Sequence, residues 1–202
     1  MNKKIIYFIL MVSCFLIGCQ KANKKISKLE PIPSSVKIEW TAYKTTEKIP
    51  VKGEFGKISL DNLGNGSTID SIMNKANFRI DAFNLKTGDV GRDNKIKETF
   101  FGLMNEPGII SGQFIVNNGN WFVQLKMNGI TIKQIPAKVN YENQFMTLNT
   151  KIELIDFKAL KALETLNEVC YDLHKGKDGV SKTWETVDVI ATMKFKNISQ
   201  NE

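Results

Sequence analysis

At 202 residues with 42% hydrophobic side chains, the chain has room for one domain of about 150 to 170 residues plus appendages, and nothing in it demands a second core. Its 28 basic residues outnumber 21 acidic ones, yet only Arg79 and Arg92 are arginine and the lysines are interspersed with acids. That pattern describes a solvated surface and argues against a nucleic-acid partner, because nucleic-acid binders concentrate arginine.

The amino terminus reads as a targeting segment, residues 1–18. Lys3 and Lys4 precede an apolar run from Ile5 to Ile17 broken only by Ser13, long enough for a secretory signal and short of the ~20 residues that span a bilayer. Leu16-Ile17-Gly18-Cys19 resembles the lipobox of bacterial lipoproteins. That resemblance implies cleavage between Gly18 and Cys19, acylation of Cys19 and attachment to a membrane, with two or three acyl chains making the attachment stable. It places the protein in the cell envelope, at the outer membrane or a periplasm-facing leaflet. Residues 19–35 then read as a lipidated flexible tether, rich in lysine, proline and serine and too polar to bury a core. With Cys14 and Cys19 assigned to these segments, Cys170 stands alone and no internal disulfide is expected.

From residue 36 to 200 the pattern is that of one β domain, with period-two alternation. Val36 to Ala42 is a first strand. A second starts at Val51 and shifts phase at Gly56, as a bulge would. A third spans Ala76 to Ala82. Then come Ile110 to Val116, Trp121 to Met127, Ile135 to Val139, Met146 to Leu154 and Val187 to Phe195. Asn118-Gly119 and Asn128-Gly129 between these runs are strong hairpin signals. Two stretches break the alternation. Asp93 is read as the cap of a short helix presenting Ile96, Phe100 and Met104, and residues 156–175 carry apolar side chains at helical spacing. Eight antiparallel strands with one apolar face each have two economical solutions, a sandwich or a closed barrel. Small residues among large aromatics on the inward faces fit either a ligand cavity or a solid tapered core.

Residues 83–114, FNLKTGDVGRDNKIKETFFGLMNEPGIISGQF, resemble the central signature of the YceI-like family. Thr87-Gly88, Arg92-Asp93, Lys97, Phe100-Phe101 and Pro107 stand in the corresponding places, and residues 126–139 are similar to a family hairpin turning at Asn128-Gly129. The chain departs from the pattern at Lys95-Ile96-Lys97, where the family often has histidine, and at Glu106-Pro107 in place of Tyr-Pro. The resemblance implies an eight-stranded antiparallel lipocalin-like barrel, all-β with one or two inserted helices, and a bound isoprenoid or isoprenoid quinone in an apolar tunnel. The inward side chains expected to line it are Trp40, Phe55, Phe78, Ile80, Phe114, Trp121, Leu125, Met146, Leu148 and Met193. Arg92, Lys95 and Lys97 are the candidate head-group contacts.

Enzymatic readings find little support. Cys170 and His174 are four apart on one helical side, a spacing a thiol and a base can use, but Cys170 falls on the apolar stripe with Leu163, Leu166 and Leu173. One histidine does not make a zinc site of ordinary ligands, and the loop from Asp61 fails the calcium pattern at Leu63 and Ile72. No catalytic residue, metal or cofactor is therefore expected. Two function classes follow: a tethered protein that stores, sequesters or transports an apolar lipid, or an envelope interaction or stress-associated lipoprotein with a filled barrel.

Overall fold

The computed structural model describes residues 26–200; the signal segment, Gly18 and Cys19 lie outside them. Ten strands make one antiparallel sheet: β1 Ile26–Lys44, β2 Ile49–Phe55, β3 Ile58–Asp61, β4 Asn77–Asp81, β5 Leu85–Lys86, β6 Ile109–Asn117, β7 Asn120–Met127, β8 Ile130–Glu142, β9 Phe145–Glu153 and β10 Thr186–Gln200. The count exceeds the eight expected from alternation because two ribbons are interrupted. β2 and β3 are one ribbon kinked at Gly56, where a Cβ would lie 3.1 Å from the Asn84 carbonyl oxygen. β4 and β5 are one ribbon broken by the 3-10 turn Ala82–Asn84. The ladder runs on across both breaks, with Gly56 N–H donating to Asn84 O at 2.8 Å and Asp81 N–H to Lys57 O at 3.1 Å.

Counted as ribbons, the ring closes. β1 pairs β10 on one side and β2 on the other, β3 and β2 pair β4 and β5, and β4 continues through β6, β7, β8 and β9 back to β10. The structure is thus an eight-ribbon antiparallel barrel. Closure satisfies the backbone groups that an open sheet leaves unpaired at its edges.

The strand directions give the barrel two distinct ends. At the upper end lie the turn after Lys44, the segment from Ala82 to Gly108, the Asn128-Gly129 hairpin and the segment from Leu154 to Glu185. This end carries helix α2, Val90–Thr99, and helix α3, Leu160–Val169. The lower end has the hairpins at Asn118 and Asn143, the short helix α1, Ile69–Met73, and both ends of the described chain.

Three expectations need correction. β1 begins at Ile26, so residues 26–35 are strand and not tether. Ile26–Ile32 pair with Lys194–Gln200 and Leu29 is buried. At the register shift that follows, Ser35 Oγ donates to Ile32 O at 2.6 Å and accepts Lys194 N–H at 2.8 Å. The proline-rich composition hid a strand whose neighbour lies far along the chain. The cap of α2 is Asp89, which accepts Arg92 N–H; Asp93 is buried in the first turn and accepts Thr87 N–H and Oγ1–H at 2.8 and 2.6 Å. Likewise residues 156–175 are not one helix. They divide into a 3-10 turn ending at Phe157, α3, and the 3-10 turn Tyr171–His174, with Lys158 at φ 53 between the first two.

Candidate functional site: an apolar cavity with a basic mouth

The inward faces of the ribbons do not fill the barrel. They leave a cavity of about 180 Å³. Trp40 and Phe55 come from β1 and β2, Phe78 and Ile80 from β4, Phe114 from β6, Leu125 from β7, Met146 and Leu148 from β9, and Met193 from β10. Nine of the ten residues expected to line a tunnel therefore line one cavity. Trp121 does not: its indole N–H donates to Asp70 Oδ1 at 3.2 Å, which fixes it at the lower end beside α1. Alternation places a side chain on the inner face but cannot say at which height the cavity stops.

Several lining residues escaped sequence reading. Met73 ends α1, Phe100 and Phe101 follow α2, Leu163 and Leu166 face down from α3, and Trp184 precedes β10. Their signal was the helical spacing of residues 156–175 and the paired phenylalanines, but only the fold folds those segments over the mouth. Trp40, Phe55, Phe101 and Phe100 form a run of ring contacts, with centroids 6.4, 6.2 and 5.0 Å apart. Gly53, directly opposite Trp40, makes that run possible, since a Cβ there would stand 2.2 Å from Trp40 Cζ2.

Above the cavity lies a vestibule of about 270 Å³. Both spaces share Trp40, Ala42, Ile96, Leu166 and Thr183, which form the neck between them. The vestibule wall adds Lys44, Asp89, Arg92, Lys95, Cys170 and His174. Arg92 and Lys95 are thereby placed at the mouth, whereas Lys97 lines neither space. Lys44 and His174 complete the polar wall; the sequence marks His174 only by its spacing from Cys170 and does not mark Lys44. Lys44 Nζ donates to Leu173 O at 2.9 Å. The Arg92 N–H and guanidinium hold the Asp89 carboxyl below its ordinary pKa.

His174 is half-buried, and burial, reinforced by the charges of Lys44 and Lys95, lowers its pKa to about 4. It is neutral at pH 7. Its Nδ1 lies 2.7 Å from Thr183 Oγ1, whose hydroxyl donates to Asn167 Oδ1 at 2.8 Å. All three groups are satisfied when Nδ1 carries the ring proton. Cys170 is buried, and the imidazole is engaged by Thr183. Among the described residues no group of three His, Cys, Asp or Glu side chains is arranged to hold a metal ion.

No protein-family model matches the chain, and no curated protein matches it in sequence. Solved structures do. A polyisoprenoid-binding domain from Saccharophagus degradans, implicated in plant cell wall breakdown, superposes with TM-score 0.59 at 14% identity over 86% of this chain and 99% of its own. BcnA of Burkholderia cenocepacia superposes with TM-score 0.53 at 14% identity, covering 81% and 98%. The chain has their fold. The Campylobacter jejuni YCEI protein also aligns, at 18% identity over 74% of this chain and 86% of its own, but its TM-score of 0.43 is too low to support any comparison. What is shared is the fold; the residues that line this cavity are this chain's own.

Proposed function

We propose that this chain is a YceI-like lipid-binding protein that takes the apolar chain of an isoprenoid-type molecule into its barrel, and that it is held to a membrane of the cell envelope through acylated Cys19. The observation that carries the reading is the cavity wall: apolar side chains from nearly every ribbon, opening through one neck into a vestibule with basic residues. A ligand that is almost all hydrocarbon gains about 25 cal/mol for each Å² removed from water, less the cost of ordering it.

Volume sets a condition. A cavity of ~150 Å³ accepts benzene, so about 180 Å³ accommodates a fragment of such a chain and not its whole length. Longer cargo requires the lining to move. Met73, Met127, Met146 and Met193 are part of it, and methionine is the unbranched side chain that repacks at least cost. The same volume favours a second reading, an envelope interaction protein whose barrel is nearly filled and whose surface does the work. Purification from membranes, followed by organic extraction and mass spectrometry, separates the two. A stoichiometric isoprenoid supports the carrier; its consistent absence supports the filled barrel.

A further inference from the structure

Every buried polar side-chain atom in the cavity wall but one has a partner. Thr150 Oγ1 donates to Pro136 O and Thr183 Oγ1 to Asn167 Oδ1, each at 2.8 Å. Trp184 uses its indole N–H on Thr45 O at 2.7 Å. Trp40 is the exception. It is 8% exposed, its Nε1 has no hydrogen-bond partner, and it belongs to both the cavity and the vestibule. A buried N–H shielded from water and left without an acceptor is unfavourable and uncommon, and Gly53 is kept free of a side chain where this indole lies. The sequence places an indole at the neck where a phenyl ring would supply the same apolar wall.

We propose that Trp40 Nε1 is the donor that recognises the ligand's polar end, and that the cargo is therefore an apolar chain ending in an oxygen acceptor rather than a plain hydrocarbon. This rests on the carrier reading above and deepens it. The acceptor is held at the neck, the chain points down among Phe78, Phe114 and Leu148, and anything beyond the acceptor emerges toward Arg92 and Lys95. Entry of the ligand parts the packed side chains, and the acceptor oxygen then takes the N–H that has none in the empty barrel.

The test uses three probes that share isoprene chemistry: geranylgeraniol, geranylgeranyl diphosphate and squalene, the last having no acceptor. In Trp40→Phe the lost ring area weakens all three alike, so the ratio isolates the N–H. Affinity for both oxygen-bearing probes should fall about fivefold to tenfold relative to squalene, the value of one hydrogen bond. An unchanged ratio overturns the assignment. Should the variant fold poorly, the indole ¹H–¹⁵N resonance of Trp40 in the unaltered protein decides: a downfield proton shift with geranylgeraniol and none with squalene supports the donor role, and equal shifts refute it. If the unaltered protein binds none of the three, the carrier reading itself fails.

Discussion

Ala191 offers the sharpest test of whether the cavity is a binding site. It lies at mid-height on β10, opposite Ile38 on β1 and Leu148 on β9, and its side chain is buried in the cavity wall. Ala191→Phe would place a phenyl ring into a space of about 180 Å³, where a hole of ~150 Å³ suffices for benzene. The ring would therefore consume most of the room available to a ligand. Burying it contributes about 2 kcal/mol of hydrophobic stabilisation, offset by roughly 1 to 3 kcal/mol of packing strain, so net stability should change little. Isoprenoid affinity should fall more than tenfold. The next residue supplies the control: Ile190 is 40% exposed on the outer face, and Ile190→Phe should leave both binding and stability unchanged. Titration of tryptophan fluorescence with geranylgeraniol, together with thermal unfolding of each variant, reads both quantities. A folded Ala191→Phe protein that binds with unaltered affinity would show that the ligand does not occupy the barrel.

Two further outcomes are expected. The unfolded chain protonates His174 near pH 6.5, whereas the folded protein does so only near pH 4; stability from this group is complete above 6.5 and is lost as the pH falls toward 4. The full shift corresponds to about 3 kcal/mol, and because the ring is half-exposed, screening reduces it to about 1 to 2 kcal/mol. Urea unfolding between pH 7 and 4.5 should show that much extra loss in the unaltered protein relative to His174→Gln; parallel curves would show that the imidazole is not held neutral. Asn128, at φ 52, accepts Asn105 N–H at 2.7 Å and donates to Phe157 O and Lys158 O at 2.8 and 3.2 Å, joining three upper-end segments. Asn128→Ala should cost about 2 to 3 kcal/mol in chemical denaturation. Asn118, at φ 50 in the other Asn-Gly hairpin, makes no such bonds among the described residues, and its replacement by alanine should cost about 1 kcal/mol. Equal losses would mean that only backbone conformation matters.

The difference between those two hairpins shows what a sequence discloses here. Both carry Asn-Gly, and both were legible as turns because the left-handed conformation they need is local chemistry. That Asn128 also fastens Phe157 and Lys158 depends on the ring having closed, which no window of sequence contains. The same division runs through the site. Trp40, Phe78 and Leu148 face inward by alternation alone, and Arg92 and Lys95 were singled out by a motif. Lys44 had no signal and His174 only its spacing from Cys170, since their meeting with Lys95 requires that the end of β1, α2 and the turn after α3 converge on the same mouth. Residues 26–35 were misread because lysine, proline and serine carry no strand pattern of their own; their order comes from Lys194–Gln200, some 160 positions away.

That early start of β1 also bears on how the protein would stand on a membrane. With the strand beginning at Ile26, only residues 19–25 separate the proposed lipid anchor from the barrel, a reach of about 23 Å at ~3.3 Å per residue, where a tether running to residue 35 would reach more than twice as far. Ile26 is at the lower end and Lys44 at the upper, so the chain joins the barrel at the end opposite the mouth. Under the proposed acylation at Cys19, an upright barrel on so short a leash presents its vestibule away from the anchoring leaflet. Cargo held through the neck would then be exchanged with something facing the upper end, not drawn from the lipid beneath.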